Sequence, residues 1–87
     1  MAKLRLTSVL RSFVGGNASV EVEAATVGAL GDEIRHRYPA LADRLFDKDG
    51  QWGDFVSVFV DGTDARYLGA DAPIASEVQI LPAISGG

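Results

Sequence analysis

Two segments near the start of the chain alternate between apolar and polar side chains. Residues 3–9 begin with this alternation, and residues 19–24 repeat it. A period of two residues is typical of a half-buried β-strand. The Gly15-Gly16-Asn17 stretch between the two segments is typical of a loop. We therefore predict two antiparallel strands joined by a long hairpin loop, with one face in solvent.

After Thr26 the apolar period changes to three or four residues, which is typical of a helix. The apolar positions of this segment lie on one stripe: Val27, Leu30, Ile34 and Tyr38. Thr26 is suited to cap the helix at its start, and Pro39 to end it. Gly28 and Gly31 each cost such a helix about 1 kcal/mol relative to alanine. We interpret them as a sign that the helix packs closely on a sheet.

The second half of the chain contains further signals of strands and turns. A short helical turn over 40–46 and a polar loop over 47–51 lead to an apolar, β-branched run at 55–60. Asp61-Gly62 then predicts a tight hairpin turn, and we expect a return strand over 65–68 and a last strand over 77–81. The order ββαββ predicts an α+β fold of the β-grasp type, with a mixed sheet and one main helix on one face.

The helix of such a fold covers one face of the sheet and leaves the other face open. If Val56, Val58 and Val60 point toward the helix, Phe55 and Phe59 lie on the open face. Aromatic side chains exposed there would form a docking patch. We therefore predict a partner-binding face that contains Phe55 and Phe59.

Length and composition restrict the classes of function. With 87 residues we expect one domain, and an excess of twelve acidic over eight basic side chains provides no basic stripe for nucleic acid. The absence of cysteine excludes disulfides and thiol chemistry. No apolar run reaches the roughly 18 residues that a membrane-spanning helix needs. We expect a cytoplasmic protein that binds neither nucleic acid nor membrane.

Other residue patterns in the sequence give only weak evidence for a metal site or a catalytic site. Asp47-Lys48-Asp49-Gly50 is similar to a calcium loop, but its spacing places Leu45 and Val56 where oxygen ligands are needed. His36 is the only histidine and lies on the polar side of the predicted helix. Trp52 is expected to cover the edge of the core. We therefore predict no metal site and no catalytic triad.

The end of the chain is chemically unusual. Pro82 disfavours a regular central strand, and Gly86-Gly87 places no side chains on the last two residues. Six residues after Leu81 can extend up to about 20 Å. We predict a β-grasp domain over 1–81 and a flexible tail over 82–87 that can enter a narrow slot of another protein.

The whole chain resembles the ubiquitin-like sulfur-carrier proteins of the MoaD and ThiS group, and is most similar to the CysO-like carriers of actinobacteria. The resemblance is carried by residues 26–30, by residues 58–66 and by the ending Val78-Gln79-Ile80-Leu81-Pro82-Ala83-Ile84-Ser85-Gly86-Gly87. One departure is the turn before the last strand, where these proteins often have Asp-Gly and this chain has Ala75-Ser76.

The resemblance implies a specific chemistry at the C-terminus. An E1-like enzyme of the MoeB, ThiF or MoeZ type would use ATP to adenylate Gly87, which a sulfur donor would convert to a thiocarboxylate. A sulfur-accepting synthase, using pyridoxal phosphate if it makes cysteine, would then take the sulfur. The chain itself would be a cosubstrate without a bound cofactor. Its partner-binding tail would comprise Pro82, Ala83, Ile84, Ser85 and Gly86.

Three alternatives remain open at this stage. The chain resembles the MoaD-type small subunit of molybdopterin synthase in the same features, so the pathway that receives the sulfur is undecided. A ubiquitin-like modifier would instead join Gly87 to a lysine of a target protein. A plain interaction module would use the face of Phe55 and Phe59 and would not need Gly86-Gly87.

Overall fold

The computed structural model of the protein describes residues 2–53 and 56–82, without the side chains of Ser8 and Val9. The strands of these ranges are β1 (Ala2–Leu6), β2 (Ser19–Val22), β3 (Val56–Val60), β4 (Thr63–Asp64) and β5 (Glu77–Pro82). The α-helices are α1 (Val27–Arg37) and α2 (Pro39–Leu45), and two 3₁₀-helices span Ser8–Val14 and Ala65–Tyr67.

The five strands form one mixed sheet in the order β2-β1-β5-β3-β4. The last strand, β5, lies in the centre, parallel to β1 and antiparallel to β3. The other two pairs, β1 with β2 and β3 with β4, are antiparallel. The predicted mixed β-grasp sheet is therefore confirmed, and the first and last strands of the chain are direct neighbours.

The core lies between one face of this sheet and the helices. The alternate residues Leu4, Val58 and Ile80 of the three central strands are almost fully buried. From α1, the predicted stripe contributes Leu30 and Ile34, both with no exposed surface. This agreement follows from the two periods, because a strand buries every second residue and a helix every third or fourth.

The helix begins where the sequence predicts it. The Thr26 side chain accepts a hydrogen bond from the Ala29 N–H at 3.2 Å, which is the N-cap interaction. Tyr38 ends α1, and Pro39 starts α2 at once. Proline is tolerated there because the first turn of a helix has no internal acceptor for its N–H.

The first strand is shorter than predicted. It ends at Leu6, and Ser8–Val14 form a 3₁₀-helix instead of continuing the strand. Leu10 and Val14, four residues apart, are both buried, and Gly15 ends the helix with a φ of 71°. The spacing of Leu10 and Val14 and the glycine after them were the helical signals in this stretch.

The predicted return strand over 65–68 is wrong. The strand that pairs with β3 is only Thr63–Asp64, and Ala65–Tyr67 form a second 3₁₀-helix. The Asp64 carboxylate accepts a hydrogen bond from the Arg66 N–H at 2.9 Å, so Asp64 caps this helix. Local capping by an aspartate competes here with strand pairing.

The two glycines of α1 pack closely against other parts of the chain. We expected them to pack on the sheet, but their neighbours include Ala70 and Phe46. A Cβ atom at Gly28 would lie 3.1 Å from the carbonyl oxygen of Ala70, and one at Gly31 would lie 3.5 Å from the ring of Phe46. The N–H groups of Val27 and Gly28 donate to the carbonyls of Ala72 and Ala70 at 3.0 and 2.8 Å. The first turn of α1 is thus attached to the segment that leads into β5.

Candidate functional site

The C-terminal end of β5 is the point from which the predicted tail departs. Pro82 is half-buried and pairs with Val56 at the start of β3. The strand therefore extends one residue farther than predicted, and proline is tolerated because it stands at the strand end. The remaining predicted site residues lie outside the described part of the chain: Phe55, Ala83, Ile84, Ser85, Gly86 and Gly87.

The helix-free face of the sheet contains Phe59, as predicted. Phe59 is half-buried and lies opposite Gln79 of β5 on one side and Asp64 of β4 on the other. Its side chain is therefore partly exposed on this face. The most exposed large apolar side chain among the described residues is Tyr67, at 84%.

Leu81 is an apolar neighbour of Phe59 that the sequence reasoning missed. It is half-buried and lies two residues beyond Gln79 on β5, diagonal to Phe59. Diagonal side chains of neighbouring strands come within reach of each other when one is aromatic. We call Phe59 and Leu81 the apolar pair, because they are diagonal neighbours on this face, and Leu81 directly precedes Pro82. The alternation Glu77, Gln79, Leu81 was the signal that places Leu81 on this face.

The same face carries charges toward its other end. Arg5 of β1 and Glu77 of β5 approach each other to 3.4 Å, with 58% and 41% of their side chains exposed. A pair this exposed adds little stability. The ion pair makes this end of the face polar, whereas the end next to Pro82 is apolar.

The start of β5 is held by Asp61. This residue has a φ of 49° in the turn after β3, and its carboxylate accepts hydrogen bonds from the N–H groups of Ala75, Ser76 and Glu77 at 2.7, 2.8 and 3.0 Å. The N–H donors of Ala75, Glu77 and Ser76 lower the pKa of Asp61 to about 2. These hydrogen bonds therefore fix where β5 begins.

The described residues provide little for other chemistry. No group of three or more His, Cys, Asp or Glu side chains within 2–53 and 56–82 is arranged to hold a metal ion, and His36 is exposed. Trp52 packs against the edge of the core, as predicted. None of the helices in these ranges has the length and apolar character to cross a membrane.

Comparison with known proteins gives consistent results. Residues 4–87 match the ThiS family. The chain is 32% identical over 87 residues to the sulfur carrier protein CysO of Mycobacterium tuberculosis, covering 94% of both chains. It is 35% identical over 77 residues to small archaeal modifier protein 1 of Haloferax volcanii, covering 85% of this chain and 87% of the relative. Among solved structures, a chain of the BexX/CysO complex of Amycolatopsis orientalis superposes over the full length of both chains with a TM-score of 0.84 and 30% identity.

Proposed function

The chain belongs to the ThiS family, and we propose that it is a sulfur carrier protein of the CysO type, a protein cosubstrate and not an enzyme. The observation that carries the proposal is the family match over residues 4–87, which takes in the strands, the helices and the Gly86-Gly87 ending. The similarity to a mycobacterial sulfur carrier along almost the whole chain supports it.

The proposed chemistry takes place at the carboxylate of Gly87. A terminal carboxylate has an ordinary pKa of about 3.5, so it is ionised and unreactive toward nucleophiles at neutral pH. An E1-like enzyme transfers AMP from ATP to this carboxylate and releases pyrophosphate. Hydrosulfide then attacks the acyl carbon, the bond to AMP breaks, and a thiocarboxylate, AMP and a proton result. The thiocarboxylate sulfur is the nucleophile that an acceptor synthase uses.

The length and composition of the chain after Pro82 support this chemistry. The carboxylate of Gly87 lies five residues after Pro82, and five residues extend up to about 17 Å. Glycine at the last two positions adds no side chain, so these residues suit a narrow active site. We propose that the tail from Pro82 to Gly87 enters the partner while the apolar pair of Phe59 and Leu81 contacts the partner surface.

The structure of the Amycolatopsis relative supports the role of a partner enzyme, because that relative was solved in a complex with BexX. For this chain we propose two partners, an activating enzyme of the MoeB, ThiF or MoeZ type and a sulfur-accepting synthase. Binding of ATP belongs to the first partner. Any cofactor of the acceptor belongs to the second, and we place both reactions in the cytoplasm.

The test is the intact mass of the protein after incubation with ATP, sulfide and the E1-like enzyme of the same organism. We expect a gain equal to the exchange of one oxygen for one sulfur, localised to Gly87 by fragmentation. A chain that lacks Gly86-Gly87 serves as the matched control and should gain no mass. An unchanged mass with an enzyme that is active on another carrier would contradict the proposal.

A second function is favoured by one observation, the 35% identity to small archaeal modifier protein 1. As a modifier, the chain would use the same adenylate, but a lysine amine of a target would replace AMP and form an isopeptide bond. Conjugates that survive boiling and reductant and that disappear without Gly86-Gly87 would identify this function. If the thiocarboxylate forms and no such conjugates are found, only the carrier function is supported.

A further inference from the structure

A groove on the helix side of the molecule is not used by the proposed function. It lies between α1, the loop after α2 and the segment after β4, and has a volume of about 420 Å³. We call it the arginine groove. The lining residues that matter here are Gly28, Gly31, Arg35, Phe46, Trp52 and Arg66. Its volume lies within the range of known binding pockets.

Arg35 and two aromatic rings form one wall of the groove. The guanidinium of Arg35 lies 4.1 Å from the centre of the Phe46 ring, and this ring stacks on Trp52 with 4.7 Å between centres. Arg35 Nη2 also donates to the carbonyl of Gly50 at 3.2 Å. These contacts hold the cation in place, so a ligand meets a preformed site and not a freely rotating side chain.

Arg66 also lines the groove and is held by hydrogen bonds to the backbone. Its Nη1 donates to the carbonyl of Val56 at 3.2 Å, and its Nη2 donates to the carbonyl of Gly53 at 2.6 Å. A guanidinium has five N–H donors, so donors remain for a ligand. Within the described ranges, no carboxylate forms an ion pair with Arg66.

The charge of the groove is opposite to that of the protein. The chain has a net charge of -4, yet the described lining contains Arg35 and Arg66 and no acidic side chain. The Asp32 carboxylate lies 3.5 Å from Arg35 with 86% of its side chain exposed, and the Asp64 carboxylate accepts a hydrogen bond from the Arg66 backbone N–H at 2.9 Å. Two cations in front of an aromatic wall are complementary to a ligand that combines carboxylates with an apolar or aromatic group.

The groove is connected to the start of the tail. Val56, whose carbonyl accepts from Arg66, is the residue that pairs with Pro82. Val56 thus links Arg66 to Pro82, so a partner that takes up the residues after Pro82 binds close to the groove. This position favours a protein segment of that partner over a free small molecule.

We propose that the arginine groove docks an acidic and aromatic segment of the activating enzyme, with carboxylates on Arg35 and Arg66 and an aromatic ring against Trp52. This inference rests on the proposed function, because it assumes a partner at the tail. It assigns the partner a second contact, on the side of the sheet opposite Phe59 and Leu81.

The first test uses a minimal probe, the peptide acetyl-Glu-Phe-Glu-amide, followed by ¹H–¹⁵N NMR titration. We expect shifts confined to the groove, including the Gly50 amide and the Trp52 indole. Acetyl-Gln-Phe-Gln-amide should shift them less. Shifts that are absent, spread over the surface, equal for both peptides or reproduced by inorganic phosphate at the same concentration would overturn the proposal.

Substitutions of the two arginines test whether their charges bind the acidic peptide. Arg35→Gln and Arg66→Gln should each weaken binding of the acidic peptide about fivefold. Arg66→Lys should retain much of the affinity. Arg44→Gln is the matched control, because Arg44 lies over the ring of Phe13 at 5.6 Å in a similar contact outside the groove. Equal weakening by Arg44→Gln would contradict the assignment. If Arg66→Gln unfolds, Arg35→Gln alone decides.

The second test uses the activating enzyme. In Arg35→Gln and Arg66→Gln, the carrier concentration that gives half-maximal activation should rise about fivefold, and in Arg44→Gln it should stay as in the natural chain. Unchanged values in both groove variants would overturn the proposal. Because thiocarboxylation of the natural chain is measured separately, this failure is distinct from a failure of the carrier function.

Discussion

The carboxylate of Asp61 accepts two hydrogen bonds from Ser76, one from its backbone N–H at 2.8 Å and one from its hydroxyl at 3.1 Å. Ser76 belongs to the Ala75-Ser76 turn, the departure from the Asp-Gly pair that the resembling proteins often have. In this chain the turn is stabilised from outside, by an aspartate fourteen and fifteen residues away in sequence. The start of the central strand thus depends on Asp61.

We expect Asp61→Asn to destabilise the fold by about 1 kcal/mol at pH 7, because a neutral amide accepts these bonds more weakly. The pKa of Asp61 is about 2 when folded and 3.8 ordinarily. A lowered folded pKa contributes stability above the ordinary value, and this contribution decreases as pH falls toward 2. Urea unfolding of both proteins from pH 7 to pH 2.5 measures the difference.

The stability difference between the natural chain and Asp61→Asn should therefore be constant above about pH 5 and shrink below pH 4. Asparagine also tolerates a positive φ, so the substitution tests the charge and not the backbone. A measurement of intact mass must confirm, at each pH, that the substituted residue is still asparagine. A difference independent of pH would show that the charge of Asp61 does not hold the turn.

Glu33 attaches α1 to the end of β2. Its carboxylate accepts from the N–H groups of Glu23 and Ala24, both at 2.9 Å, and from Arg37 at 2.6 Å. Desolvation raises the pKa of Glu33, but the hydrogen bonds from Glu23, Arg37 and Ala24 outweigh it and lower the pKa overall. We expect Glu33→Gln to lower the free energy of unfolding by about 1–2 kcal/mol.

Asp32→Asn is the matched control for Glu33→Gln, since Asp32 is the adjacent acid of the same helix, with 86% of its side chain exposed and a 3.5 Å contact to Arg35. It should change the free energy of unfolding by less than about 0.5 kcal/mol. Chemical denaturation at pH 7 compares the two. Equal effects would indicate that only the helix charge matters, and not the attachment to β2.

The two glycines of α1 should respond oppositely to alanine. At Gly28 the new Cβ meets a backbone oxygen, that of Ala70, at 3.1 Å, and this oxygen is already bonded to the Gly28 N–H. At Gly31 the nearest atom, 3.2 Å away, is the end of the flexible Arg35 side chain. We expect Gly28→Ala to destabilise by about 1 kcal/mol and Gly31→Ala to be neutral or stabilising. Thermal unfolding of both variants measures this order, and the reverse order would contradict the close packing on Ala70.

Phe59→Ser should weaken binding to the activating enzyme about tenfold, because about 1.4 kcal/mol of apolar contact is removed from the helix-free face. Calorimetric titration measures the affinity, and circular dichroism checks the fold. Tyr67→Ser is the control, since Tyr67 is 84% exposed but not part of the sheet. If Tyr67→Ser weakens binding to the activating enzyme and Phe59→Ser does not, the interface does not include Phe59 and Leu81.

Adding one alanine after Gly87 should abolish thiocarboxylation. The added residue displaces the carboxylate and brings a side chain into a slot that fits glycine. Intact mass after incubation with the activating enzyme, ATP and sulfide measures the product. The control adds one alanine before Met1 and should react fully. Full reaction of the C-terminal extension would contradict a mechanism confined to Gly87.

The local elements of the fold could be predicted from the sequence. Alternation places Leu4 in a strand, and the β-branched run at 55–60 places Val58 in another. The three-to-four spacing of Leu30 and Ile34 predicts α1, and Thr26 caps it. These features depend on residues close together in the chain, where side-chain period and capping chemistry act directly. The sequence also placed Phe59 on the helix-free face, whereas the roles of this face and of the Gly86-Gly87 ending stay predictions.

What the sequence left undetermined depends on contacts between distant residues. The pairing of β1 with β5 brings residues 3–6 beside residues 77–80, and it makes the strand before the tail the centre of the sheet. The same pairing network places Leu81 diagonal to Phe59. Arg35 and Arg66, thirty-one residues apart in the sequence, line one groove only because the fold brings α1 and the second 3₁₀-helix to the same side of the molecule. No local period encodes such a meeting, since it results from burying the apolar faces of separate elements in one core.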